Sequence, residues 1–188
     1  MGEKRSRPGL VGLFITVALA VLVAGAVLAV DRLQSATTDP LTPTGEPATD
    51  QQSRAQATDA AREIVVVAGL HVTSASYMLM SCRDHDSPPY QGAVYVIFKV
   101  PADTRPGTYL PAVAEKVISD GWTEGLDLNG HSYGRILTKG GVTASVYGHD
   151  DKPDLGVFRV YGECRNTNDH RTDGTGWTDI TGVFGPAG

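Results

Sequence analysis

The sequence predicts an α+β domain, an antiparallel-rich sheet of about six strands with two helices on one face, preceded by a single transmembrane helix. Three observations carry this. Residues Gly9 to Val30 form one apolar run without a charge. Two later stretches repeat apolar residues at spacings of three and four. Several short segments alternate apolar and polar residues between Gly, Pro and Asn-Gly breaks. Residue order then gives helix, two strands, helix and four strands, the pattern of an α+β layer.

The apolar run is flanked by Lys4, Arg5 and Arg7 before it and by Asp31 and Arg32 after it. As a helix rising about 1.5 Å per residue it spans roughly 33 Å, enough for a bilayer core. Signal-peptide centres are shorter, about 7 to 15 residues, which favours an uncleaved signal anchor over a leader cut after Ala26 or Ala29. On the less favoured reading the domain is secreted after cleavage. The preceding positive charges hold residues 1–8 in the cytoplasm, so the chain from Asp31 lies outside the plasma membrane. Gly12, Thr16, Ala20 and Ala24 share one ridge at spacing four, the small-residue pattern that suits helix–helix self-association. Residues 31–48, rich in Thr and Pro, form a tether.

The domain is expected over residues 49–164. Thr49 and Gln52 spell a capping box for a helix from Asp50 to about Gly69, with Ala57, Ala60, Ala61, Ile64, Val65 and Ala68 inward. His71 to Cys82 reads as a strand with Met78 and Met80 inward and Tyr77 outward. Val94 to Val100 reads as a second, after a turn at Pro88-Pro89. Thr108 is the expected N-cap of the next helix, with Pro111 in its first turn and Leu110, Val113, Ala114, Val117 and Ile118 buried. Gly121 ends it. Asn129-Gly130 predicts a hairpin between Leu126–Leu128 and His131–Tyr133, and Gly140-Gly141 a second one into Val142–Gly148. The Asp150–Asp154 stretch turns the chain into a last strand, Leu155 to Cys164. Residues 165–188 are expected to be a Gly-rich polar tail, disordered or weakly packed.

Strand direction brings the two cysteines together. With strands alternating, the first and last run parallel, and Cys82 and Cys164 stand at the same sheet edge. A structural disulfide is therefore expected on the oxidising side of the membrane. Closing so long a loop stabilises the fold by roughly 4 kcal/mol in the chain-entropy model.

The layout of tether, helix, Cys, amphipathic helix and meander closing on Gly162-Glu163-Cys164 resembles the LppA-like lipoproteins of mycobacteria and their relatives, over Thr49 to Cys164. The resemblance implies an envelope address and this fold; it implies no reaction. The chain departs from the family in lacking the lipid-attachment Cys, whose place is taken by the longer apolar segment.

Net charge is −5, and the basic stub makes the rest more acidic still, which excludes nucleic acid as a partner. No G-x-S-x-G, free thiol or phosphate-cradling Gly-rich loop supports hydrolysis or nucleotide chemistry, and no cofactor is expected. Three loops place His beside Asp: Asp84-His85-Asp86, His149-Asp150-Asp151 and Asn168-Asp169-His170. They lack metal-site spacing and read as solvated loops, with a metal-dependent envelope enzyme as the alternative function. The sheet face turned from the helices is the candidate binding face: alternation puts Tyr77, Tyr95, Tyr147, Tyr161 and Arg159 there, with Lys99 nearby. Tyr pairs an apolar body with a polar tip, suited to a protein or glycan partner, though it is also an ordinary strand residue. The leading expectation is thus a single-pass envelope protein with a non-catalytic binding or scaffolding outer domain. A third reading is an accessory subunit recognised through its membrane helix.

Overall fold

The computed structural model describes residues 45–83, 86–125, 131, 133–173 and 176–185. The apolar run, its small-residue ridge and the Asn129-Gly130 turn lie outside the described residues. No helix among the described residues is long and apolar enough to cross a membrane.

The elements, in chain order, are α1 (Asp50–Ala68), β1 (Val72–Ser81), β2 (Tyr90–Lys99), α2 (Pro106–Ser119), β3 (Thr123–Glu124), β4 (Arg135–Lys139), β5 (Val142–Gly148), β6 (Leu155–Tyr161) and β7 (Thr178–Asp179), then a 3₁₀ turn, Thr181–Phe184. Among the described residues the sheet has seven strands in the order β3-β4-β5-β6-β2-β1-β7. Every neighbouring pair is antiparallel. Both helices contribute to one core with the inward residues of β1, β2, β4, β5 and β6. The α+β class is as expected.

Helix α1 begins where the capping box places it. The Gln52 amide N–H donates to Thr49 Oγ1 at 3.2 Å, and the Thr49 N–H donates to Gln52 Oε1 at 2.8 Å. It stops at Gly69, whose φ of 67° is left-handed. Its buried stripe is rich in Ala because the helix lies almost on the sheet. A Cβ on Gly92 would sit 2.2 Å from the Ser53 carbonyl oxygen, so only glycine fits beneath this turn.

Helix α2 starts earlier than expected. Arg105 is its N-cap and Pro106 its first residue. Proline's fixed φ and missing donor suit that position, so Thr108 is already helical and does not cap. Pro111 consequently lies inside the helix and not in its first turn. Leu110, Val113, Ala114 and Val117 are buried. Gly121 follows at φ 94°, and buried Trp122 donates its indole N–H to Glu63 Oε1 at 2.9 Å. Glu63 also accepts from Lys139 Nζ at 2.6 Å, tying α1 to the β4–β5 hairpin. That hairpin turns at Gly140 and Gly141, both with positive φ, as its sequence requires.

Strand β1 faces the other way from the expected alternation. Ala75 and Tyr77 are buried in the core and Leu79 packs against it, while Ser76 stands opposite Tyr95 on the outer side. Met78 is accordingly outward, opposite Ala93. Both rows of this strand carry apolar residues, so alternation alone has two solutions. The near contact with α1 selects the row that presents Ala75.

Strand β2 separates β1 from β6 and is antiparallel to both, so β1 and β6 run alike and the cysteines meet. Cys82 and Cys164 form a disulfide with a Cα–Cα distance of 6.0 Å. The chain beyond Cys164 is not a loose tail. Asn166 bridges to Tyr90, β7 adds to the free edge of β1, and Ile180 is buried in the core. The polar Gly-rich composition hid these anchors, because a two-residue strand leaves no period to read.

Candidate functional site: the outer face of the sheet

Register places Tyr95, Arg159 and Ser145 side by side on β2, β6 and β5, with Tyr161 between Ala93 and Thr143. All lie on the face that the helices leave uncovered. The Arg159 guanidinium stands 5.1 Å from the Tyr95 ring centre and 5.8 Å from that of Tyr147. Two rings continue the row at its ends. Trp177, just before β7, tilts against Tyr95 with centroids 6.0 Å apart, and His131 stacks on Tyr147 at 4.2 Å. The row therefore crosses the sheet as Trp177, Tyr95, Arg159, Tyr147 and His131, one cation between two pairs of rings.

Burial disfavours charge on Arg159, yet the hydroxyls of Tyr147 and Tyr161 around it outweigh that and raise its pKa. Tyr147 is only 4 % exposed, and burial pushes its hydroxyl up to about 12 against the pull of Arg159. Tyr147 Oη and Arg159 Nε are buried with no hydrogen-bond partner among the described residues. Trp177, by contrast, is 46 % exposed. The row is thus buried at Tyr147 and open at Trp177.

Of the residues expected on this face, Tyr95, Tyr147, Tyr161 and Arg159 are there. Tyr77 is not: it is 7 % exposed on the helix side, beneath the guanidinium of Arg54 at 5.0 Å. Trp177 and His131 belong to the row and escaped the sequence reading, since one sits in the supposed tail and the other in a loop. A lone Trp in a Gly-rich stretch was the available signal.

Two of the three His/Asp loops lie wholly among the described residues. Among the described residues no group of three or more His, Cys, Asp or Glu side chains could hold an ion. Asp84 and His85 fall outside them. His149 Nδ1 accepts the Asp151 N–H at 3.2 Å, a local turn contact. His170 is buried, with Nδ1 2.6 Å from Asp173 Oδ2 and Nε2 3.1 Å from Asp50 Oδ1. Asn166 and Asn168 also donate to Asp50, and the His170 ring meets Tyr90 edge-on at 5.0 Å. Burial opposes protonation of His170, but the two carboxylates outweigh it and raise its pKa. The cluster fastens residues 166–173 to the start of α1.

No solved structure matches the chain. Known sequences do. A relative from Mycobacterium bovis named "Putative lipoprotein LppJ" is 35 % identical over 160 residues, covering 85 % of this chain and 84 % of its own. Two Mycobacterium tuberculosis relatives of the same name are 34 % identical over the same shares. The family described as "Putative lipoprotein LppJ" matches residues 49–183, which takes in β7 and most of the 3₁₀ turn. The resemblance to LppA-like proteins is thereby corrected to a neighbouring family of mycobacterial lipoproteins. The chain belongs to the LppJ lipoprotein family.

Proposed function

We propose that this is a membrane-associated envelope protein with a non-catalytic outer domain that binds an envelope glycan along the row from Trp177 to His131. Membership of a lipoprotein family supports the envelope address. The sequence has two cysteines, and both are spent in the disulfide, so neither offers a thiol for lipid attachment. The uncharged Gly9–Val30 segment is the attachment this reading uses, with the domain outside. Its small-residue ridge at Gly12, Thr16, Ala20 and Ala24 suits pairing with a second membrane helix.

The observation that carries the binding role is the row itself. Flat apolar faces with polar edges suit sugar rings, whose C–H faces stack while their hydroxyls meet Arg159 and Tyr161. A protein partner would call for a broader apolar patch. The exposed large hydrophobic residues among those described are Val66, Tyr133, Trp177 and Val183, and of these only Trp177 joins the row. The test is retention of the full chain, purified in detergent, on protein-free cell-wall polysaccharide. Wild type should be retained and Trp177→Ala should not; equal retention removes the row from the account.

A further inference from the structure

A second site lies across the sheet edge from the aromatic row. A cleft of about 170 Å³ opens between α1, the edge of β1 and the chain entering β7, and its lining includes Arg54, Tyr77, Met78, Leu79, His170 and Asp173. At about 30 Å³ per water it holds about half a dozen waters, the scale of a small organic ligand.

Two features mark the cleft as built. The hydroxyl of Tyr77 is buried and has no hydrogen-bond partner among the described residues, a condition that native structures rarely leave unexplained. Arg54 rests over the Tyr77 ring at 5.0 Å, and among the described residues its guanidinium makes no ion pair. The other charged groups here are Asp50 and Asp173 with His170 between them, two carboxylates to one imidazole. Arg54 is the cation of the cleft that makes no direct ion pair among the described residues, and it stands beside an orphan hydroxyl and the apolar side chains of Met78 and Leu79.

We infer that this cleft binds a small ligand with a carboxylate head and a short apolar body. Arg54 takes the carboxylate in a charge-assisted pair and the Tyr77 hydroxyl donates to it, while Met78 and Leu79 hold the body. Burial pushes the Tyr77 hydroxyl up to about 12, more than Arg54 draws it down, so it keeps its proton at any physiological pH. The same head group occurs in a free short-chain acid and in a peptide C-terminus. This inference does not rest on the glycan reading: its polar groups, Arg54 and Tyr77, are on the helix side of β1 and outside the row.

The test is a titration of the isotope-labelled full chain in detergent micelles, followed by amide and guanidine NMR shifts, with butyrate, N-acetyl-alanyl-alanine and neutral butyramide as probes. One or both acids should move the signals of Arg54, Met78, Leu79 and Thr178 saturably, and butyramide should not; which acid binds identifies the source. Arg54→Gln should weaken binding roughly ten-fold or more, and Tyr77→Phe several-fold with an unchanged or higher melting temperature. Saturable binding by neither acid, equal binding of butyramide, or Arg54→Gln titrating like wild type would overturn the inference.

Discussion

Arg159 lies over Tyr95, 5.1 Å from its ring centre, on the side of the sheet turned away from α1 and α2. The pair is direct in register, each residue opposite the other across β2 and β6. A guanidinium over strand aromatics keeps its charge while its stem shields apolar ring surface.

Arg159→Ala should therefore lower stability by about 1–2 kcal/mol, because it removes two cation–ring contacts and the packing of the stem. Arg159→Lys should recover part of this, since an ammonium lacks the planar group that stacks. Denaturant unfolding of the two variants measures both. Equal losses would assign the effect to the planar guanidinium group alone, since lysine keeps the charge and most of the stem.

Replacing Cys82 and Cys164 together by Ser should cost up to roughly 4 kcal/mol, the loop-entropy value for a sequence separation of 82. The residues between them include the central strand β6 and its neighbours β5 and β2, so the loss should appear as one cooperative shift of the unfolding curve. A loss near zero would place the stabilisation of this edge in the contacts of residues 166–173 instead.

The His170 cluster sets a pH dependence with a defined sign. Unfolded histidine titrates near 6.5, and the folded value is higher. The stabilisation is then fully present below pH 6.5 and is lost as pH rises through the folded value. Amides of residues 166–173 should open more often above pH 6.5, after correction for intrinsic exchange rates. His170→Gln should remove the slope; an identical slope in the variant would show that another group sets it. Asp50 contributes at the other end. Its pKa is lowered, first by the hydrogen bond from Asn166, so that part is lost in acid as the pH falls below about 4.

Gly92→Ala should destabilise by about 1–3 kcal/mol or more, since the new methyl meets the Ser53 backbone at 2.2 Å and α1 must lift from the sheet. Gly182→Ala, with nothing within 4 Å of its Cβ, should stay within about 0.5 kcal/mol of wild type. Thermal unfolding of the two variants compares them directly.

Much of this was legible in the residues. The capping box at Thr49 and Gln52, the Gly140-Gly141 turn and the direction count for the cysteines each rest on local chemistry that admits one solution. The facing of β1 did not, because Ser74, Ser76, Met78 and Met80 compete with Ala75, Tyr77 and Leu79 on nearly equal hydrophobicity. Only the close seat of α1 over Gly92 decides between them, and that is a tertiary fact. The same limit hid two of the five members of the candidate row: Tyr95, Tyr147 and Arg159 share strand alternation, whereas Trp177 and His131 arrive from irregular chain. Segment 165–185 failed as a sequence reading because its anchors are single residues, Asn166, His170 and Ile180, spaced without a period.

The central claim is that the open half of the row, Trp177 and Tyr95, contacts an envelope glycan. Co-sedimentation of the detergent-purified full chain with protein-free cell-wall polysaccharide, repeated across protein concentrations, yields an affinity for wild type, Trp177→Ala and Tyr95→Ala. Loss of one stacking ring should weaken binding roughly 5- to 30-fold, the range for about 1–2 kcal/mol, with folded-state circular dichroism unchanged. Wild-type affinity in both variants, or no sedimentation of the wild-type chain, would contradict the account.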